Sequence, residues 1–253
     1  MFTMLEQECV PYAVLKGFSF MDELYETKEG ITRRFADIDI LIDRSDVNVV
    51  KKILGDFNFL QGRVVGSVII EAKRNELLYW EINSHQLHQY VKLSSKPKYV
   101  SKYWIEVDIN TTFFEGGKFI PPIETKSLLT HTILKSTKSG VTFSVLNNTY
   151  SLIQLCYHFY KDTNYESKKV TQDNYSLIKF CDIRKFILHN RQSIDWGEFV
   201  EVVNQAKIND QIYYSLWLVS SFFGDLEIEP LLERIKSSKD YSANEIDWEK
   251  FLL

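Results

Sequence analysis

The sequence is short of glycine, proline and cysteine, and it contains no long hydrophobic run. Ten glycines and five prolines in 253 residues leave little material for flexible linkers, so we expect a well-packed chain. Cys9, Cys156 and Cys181 are odd in number and lack CxxC spacing, which argues against a disulfide framework and a zinc site. The sequence has no apolar run of about 18 residues and no basic start before an apolar stretch, so it predicts neither a transmembrane helix nor a signal peptide. We therefore expect a cytoplasmic protein with reduced thiols.

Positive charge is scarcer than negative charge. The chain has 30 Lys and Arg against 34 Asp and Glu, a formal net charge of -4 and a pI of about 5.8. A protein that grips a polynucleotide backbone usually presents a basic face. The composition therefore argues against polynucleotide binding, while it leaves a local basic patch open.

The first half of the chain alternates short β-rich runs with helical patterns, which favours an α/β or α+β core. Helices are expected after Gly17 and from Ser45 to Gly55, with Ser45 as the N-cap. Strands are predicted at 12–15, 37–42, 67–72, 76–82 and 103–109.

The second half shows helical periodicity, which begins after a stretch rich in Gly and Pro at 116–127. Asp195 and Asp210 are placed as N-caps, and Gly224 as a C-cap. Apolar faces with helical spacing occur at 148–162, 174–190, 193–207 and 209–224. We predict two domains, a mixed-sheet domain at 1–120 and a helical bundle at 121–253.

Two aspartates on an otherwise apolar strand are the main candidate functional residues. Side chains two apart on a strand share a face, so Asp37 and Asp39 project side by side. Like charges held together share either a proton or a cation, and Mg²⁺ is bound by such carboxylates. Asp108, in another apolar strand, offers a third carboxylate, with Glu106 as the alternative. A half-exposed strand with a solvated acidic face would show the same pattern.

The surroundings of these aspartates resemble the nucleotidyltransferase superfamily, which has the DNA polymerase β-like fold. The resemblance rests on three motifs: LKGFS (15–19), RRFADIDILID (33–43) and EVDIN (106–110). More narrowly, the chain resembles the uncharacterised bacterial nucleotidyltransferase family, whose members read LKG, then an Arg four residues before DID. The similarity extends into the helical half, over roughly residues 10 to 220. It implies an α+β fold, with a mixed nucleotidyltransferase sheet and flanking helices followed by a C-terminal helical bundle that binds substrate.

The resemblance also implies roles for individual residues. One or two Mg²⁺ ions would be held by Asp37, Asp39 and Asp108, and Asp108 would activate the acceptor hydroxyl. The nucleotide would be bound by Gly17 and Ser19 at the start of a helix, by Lys16 and Arg33 (or its neighbour Arg34) as cations, and by His158 in the helical half. Whether Asp182 contacts substrate stays open.

The implied reaction is Mg²⁺-dependent transfer of a nucleoside monophosphate from an NTP, by default AMP from ATP, with release of pyrophosphate. The acceptor would be a hydroxyl or phosphate of a small molecule or peptide, as in natural-product biosynthesis. Two alternatives stay open: a catalytically silent nucleotide-binding or interaction module on the same fold, and a toxin-like nucleotidyltransferase acting on protein or tRNA. The acceptor, the NTP and the oligomeric state are not specified by the sequence.

Overall fold

The structure is a computed structural model. It describes residues 1–27, 30, 31, 33, 37–94, 104–114, 121–164, 177–235, 237–239 and 241. The chain divides into two compact units, Met1–Asn147 and Asn148–Leu253. Within the described residues, every helix is too short or too polar to cross a membrane.

The first unit is built on a mixed eight-stranded sheet with the strand order β6-β5-β7-β8-β4-β1-β10-β9, beside a small β2-β3 sheet. Four predicted strands, at 12–15, 37–42, 67–72 and 103–109, are confirmed within the described residues. The strands are β1 Tyr12–Leu15, β2 Glu26–Thr27, β3 Gly30–Ile31, β4 Ile38–Ile42, β5 Leu60–Val65, β6 Val68–Glu71, β7 Tyr90–Leu93, β8 Trp104–Asn110, β9 Thr132–Ser136 and β10 Thr142–Leu146.

The central strands bury one face of the sheet in the main core of this unit. The period of two along each strand sends alternate apolar side chains to this face. Its members include Tyr12, Val14, Ile40, Ile42, Val107 and Ile109, with Leu54 and other residues of the next helix packed against them. The residues between them, Asp39 and Asp108 among these, therefore project from the opposite face.

The helices of the first unit are α1 Phe2–Gln7, α2 Lys16–Leu24, α3 Val47–Asp56, α4 Arg74–Asn83 and α5 Thr125–Leu129. Both helices predicted here, α2 and α3, are confirmed. The N-cap prediction for Ser45 is wrong, because Ser45 lies inside a 3₁₀ turn, Arg44–Asp46, that precedes α3. Asp43 caps this turn instead, and its Oδ1 accepts a hydrogen bond from the Ser45 backbone N–H at 2.9 Å.

The strand predicted at 76–82 is wrong, since these residues form α4. A capping box closes the start of the helix, where Glu76 accepts a hydrogen bond from the Lys73 backbone N–H at 2.7 Å. Leu78, Tyr79 and Ile82 stay 46%, 65% and 49% exposed, so the apolar composition of this segment does not reflect a buried strand.

The first unit extends beyond the boundary predicted at residue 120. Helix α5 and strands β9 and β10 belong to it, and the helical unit begins at Asn148. The reason is strand pairing: β10 lies parallel to β1, with Val145 opposite Val14. Phe143 and Val145 are buried on the two-residue period expected of a strand.

The second unit is helical, as predicted. Its helices are α6 Asn148–Asn164, α7 Leu177–Asn190, α8 Trp196–Gln205, α9 Asn209–Phe223 and α10 Glu229–Ile235. Asp195 caps α8, and Gly224 ends α9 with a φ of 70°. The N-cap prediction for Asp210 is wrong. Ile208 occupies that position, and Asp210 instead accepts hydrogen bonds from Ser237 and Ser238.

Candidate functional site

Strand register brings the three predicted carboxylates together on the face of the sheet opposite the core. In the parallel β4–β8 pair, Asp39 lies directly opposite Asp108. Asp37 precedes Asp39 by two residues and shares its face. One ligand oxygen from each of Asp37, Asp39 and Asp108 lies within 4.8 Å of the others. Glu106, the alternative third carboxylate, is not a member of this group of three.

The carboxylates perturb one another because they are close and poorly solvated. Burial, reinforced by the negative charges of Asp39 and Asp37, raises the pKa of Asp108 to about 7. Burial and the charge of Asp39 also raise the pKa of Asp37, while the charge of Lys16 lowers it. Asp39 itself is only 3% exposed. The cluster therefore disfavours full ionisation unless a cation balances it.

Lys16 and Asn110 contact the buried carboxylate of Asp39. The Lys16 ammonium donates to Asp39 Oδ1 at 2.9 Å, and Asn110 Nδ2 donates to the same oxygen at 3.3 Å. Lys16 can reach it because Leu15, the last residue of β1, lies opposite Asp39 in the antiparallel β1–β4 pair. Lys16, expected beside phosphates, is therefore placed against the carboxylates.

The cluster has the donor chemistry of a site for a hard divalent cation. Three carboxylates supply the oxygen ligands that Mg²⁺ prefers. Among the described residues, Asp108 Oδ1 is buried without a hydrogen-bond partner, which is unfavourable unless a ligand or ion satisfies it. Asp37, Asp39 and Asp108 thus fit a metal ion, while the ligand roles themselves stay predictions.

The start of α2 combines three of the predicted nucleotide-binding residues. The Arg33 guanidinium lies so close to Gly17 that a Cβ at position 17 would be 2.7 Å from Arg33 Nη1. The guanidinium also lies 6.0 Å from the ring centroid of Tyr25. Ser19 Oγ donates to the carbonyl of Lys16 at 2.6 Å, within the first turn. A helix N-terminus with an adjacent guanidinium favours an anion; Arg34 lies outside the described residues.

His158, the predicted substrate contact of the helical unit, lies on α6 beside a buried carboxylate. Its Nδ1 is 3.4 Å from Asp162 Oδ2, one helical turn later, and Asp162 is 1% exposed. Lys179 on α7 donates to the same oxygen at 2.5 Å. Arg184, on the same helix as Asp182, donates from Nε to both carboxylate oxygens of Asp225 at 3.0 Å.

Sequence reasoning assigned no role to Asn110, Asp162 or Lys179. The location of Asn110 at the site could have been predicted, because it follows Asp108 by two residues in EVDIN and so lies on the same face of the strand. Asp162 also carried a signal, since it follows His158 at the i, i+4 spacing of one helix face. Lys179 carried none, because its contact depends on how α7 packs against α6.

The sequence model of the uncharacterised nucleotidyltransferase family matches residues 1–224, which confirms the resemblance and its coverage of both units. The chain therefore belongs to this nucleotidyltransferase family. A similar solved structure is that of an antigenic nucleotidyltransferase-like protein from Paracoccidioides brasiliensis. It is 12% identical, covers 92% of this chain and 88% of its own, and has a TM-score of 0.44. No curated protein sequence matches the chain significantly.

Proposed function

We propose that the protein transfers a nucleoside monophosphate, AMP by preference, from an NTP to a hydroxyl or phosphate of a small molecule or peptide, releasing pyrophosphate. The observation that carries the proposal is the convergence of Asp37, Asp39 and Asp108, with Asp108 Oδ1 buried and unpartnered among the described residues. Family membership supports the reaction class.

Each group around the cluster has a separate task in this reaction. Mg²⁺ bound by the three carboxylates would neutralise negative charge on the reacting phosphate and the leaving group. The N-terminus of α2 and Arg33 bind the remaining phosphate oxygens. Gly17 allows this approach because it has no Cβ between the backbone and the guanidinium.

Asp108 serves as the base for the acceptor. It is one of the three carboxylates that converge at the proposed metal site, so a hydroxyl bound there lies within reach of its oxygens. The acceptor oxygen forms a bond to the α-phosphorus while the bond from phosphorus to the bridging pyrophosphate oxygen breaks, and Asp108 takes the hydroxyl proton. Solvent then removes this proton, and the carboxylate is restored.

Calorimetric titration of each of the four NTPs, with and without Mg²⁺, tests the proposal on the native protein and on Asp37→Ala/Asp39→Ala. We expect Mg²⁺-dependent binding of one NTP, weakened at least about 100-fold in the double variant, because the metal would lose two of its three carboxylates. Circular dichroism checks that the variant is folded. Absence of Mg²⁺-dependent binding to the native protein would contradict the proposal.

Pyrophosphate release distinguishes an enzyme from a silent binding module. A coupled phosphate assay, run with the bound NTP and a panel of hydroxyl and phosphate acceptors, should give turnover with an acceptor of one class. Metal-dependent NTP binding without pyrophosphate release for any acceptor would favour the silent nucleotide-binding module.

A further inference from the structure

Lys16 is placed so that its charge can neutralise part of the carboxylate cluster. Buried like charges are expensive unless a cation neutralises them. The ammonium of Lys16 lies 2.9 Å from Asp39 Oδ1, and the carboxylate it contacts is 4% exposed in its side chain. A cation supplied by the chain itself therefore neutralises part of the negative charge that Mg²⁺ would neutralise.

The backbone holds Lys16 in this position. Its φ of 53° lies in the left-handed region, which is unfavourable for a residue with a Cβ. The residue before it, Leu15, is fixed opposite Asp39 by the β1–β4 ladder. Strand register and the unfavourable backbone conformation of Lys16 therefore position the Lys16–Asp39 ion pair.

We propose that Lys16 is the resident counterion of the Asp37–Asp39–Asp108 cluster, and that a divalent cation has to displace its ammonium to bind. This role rests on the proposed function, because it presupposes that the cluster binds metal. Lys16 is then a positioning residue that keeps the metal-free site folded and limits its affinity for metal.

A phosphate bound at the start of α2 would be an alternative partner for the displaced ammonium. Lys16 is the first residue of α2 and adjoins Gly17, where the Arg33 guanidinium marks an anion site. Metal binding thereby releases a positive charge at the end of the helix where phosphates would bind. Metal and nucleotide would consequently bind more tightly together than separately.

Binding of Mn²⁺ alone, measured by electron paramagnetic resonance at about pH 8, tests this role. We expect Lys16→Met to bind Mn²⁺ at least about tenfold more tightly than the native protein, because a positive charge 2.9 Å from a ligand oxygen is gone. Lys16→Arg, which keeps the charge, should bind Mn²⁺ within about threefold of the native value. Without metal, Lys16→Met should melt at a lower temperature, and Mn²⁺ should raise its melting temperature more than that of the native protein.

The matched control is Lys126→Met. It removes one positive charge from the same unit, but Lys126 is 70% exposed and lies 3.9 Å from Asp43, outside the cluster. Its Mn²⁺ affinity should equal that of the native protein. If Lys16→Met does not fold without metal, Lys16→Gln, which keeps a polar group, provides the same comparison.

The outcomes separate the counterion role from the metal site. If the native protein binds Mn²⁺ and Asp39→Asn does not, while Lys16→Met binds no more tightly than native, the counterion role is wrong and the metal site stands. If neither the native protein nor Lys16→Met binds Mn²⁺, both the metal site and the counterion role are overturned. If Lys16→Met binds Mn²⁺ more tightly than the native protein while Lys126→Met does not, the counterion role is supported.

Discussion

At the scale of single residues, Asp108 combines a raised pKa with a buried oxygen that lacks a partner among the described residues. Burial raises the pKa, and the charge of Asp39, which lies opposite Asp108 on the adjacent parallel strand, adds to the shift. A residue in this state disfavours its own ionisation. Its ionisation is therefore linked to the stability of the metal-free fold.

The first prediction concerns this linkage. The pKa of Asp108 is about 7 in the folded protein against 3.8 without its surroundings, so the folded state binds more protons between these values. The free energy of unfolding contributed by Asp108 consequently falls as pH rises from about 4 to 7, by an upper limit of about 4 kcal/mol at 1.4 kcal/mol per unit. Asp37, whose pKa is also raised, acts in the same direction.

Urea unfolding with EDTA at several pH values between about 4.5 and 8 measures this effect. Because other groups also titrate, the informative quantity is the difference between Asp108→Asn and the native protein. We expect this variant to become the more stable of the two as pH rises, since an amide carries no charge to bury. Parallel stability curves for the two proteins would show that Asp108 is not the perturbed group.

At the scale of elements, α2 is set between the carboxylate cluster and the Arg33 guanidinium. Its first residue contacts Asp39, and its second leaves room for the guanidinium only because it is glycine. A β-carbon there would be too close to Arg33 Nη1. This contact involves the far end of a flexible side chain, so a substitution at Gly17 moves Arg33 more readily than it moves the backbone.

The second prediction is that Gly17→Ala weakens Mg²⁺-dependent NTP binding about tenfold, because the guanidinium is pushed from the anion site and a charge-assisted hydrogen bond is lost. The free energy of unfolding should change by less than about 1 kcal/mol, since Ala favours a helix and Arg33 can shift. Calorimetry and urea unfolding measure the two quantities.

Gly55→Ala is the control for Gly17→Ala. Gly55 lies in α3, and a Cβ added there meets nothing within 4 Å. We expect this variant to gain up to about 1 kcal/mol of stability and to bind NTP as the native protein does. If Gly17→Ala binds the NTP as tightly as the native protein, the proposed phosphate binding by Arg33 and the start of α2 is wrong.

The elements that carry the site were predictable from local patterns, and those that failed depend on distant contacts. The strand that follows Asp37 and contains Asp39, the strand with Asp108 and the helix after Leu15 each have a clear apolar period. The apolar residues of segment 76–82 suggested a strand. The segment instead forms α4, because it has no neighbouring strand to pair with among the described residues. Strand β10 depends on pairing with β1, more than 100 residues away, and only the alternation at Phe143 and Val145 signalled it.

The site itself was predictable in its residue types but not in its contacts. Spacing placed Asp37 beside Asp39, but the parallel register that sets Asp39 opposite Asp108 is a property of the folded sheet. Likewise, LKG indicated a cation near phosphates, whereas the β1–β4 register directs Lys16 to a carboxylate.

At the scale of the whole molecule, the chain separates a carboxylate-bearing sheet unit from a helical unit. The helical unit contains a cluster of polar side chains around the buried Asp162. Asp162 accepts a hydrogen bond from Lys179 and lies beside His158. The imidazole Nδ1 lies 3.4 Å from this carboxylate. Substrate binding by the helical unit stays a prediction.

The last prediction tests that role by hydrogen exchange on the full chain. With Mg²⁺ and the NTP identified by calorimetry, we expect slower exchange in β1, α2, β4 and β8, which carry the metal and phosphate residues, and in α6 around His158. The same NTP with EDTA, and the Asp37→Ala/Asp39→Ala variant with Mg²⁺, should show neither effect, since binding requires the metal site. Protection limited to the sheet unit would contradict a nucleotide contact from His158. Protection of α6 that disappears in His158→Gln, with the sheet unit still protected, would assign the contact to this side chain, because Gln lacks the imidazole ring.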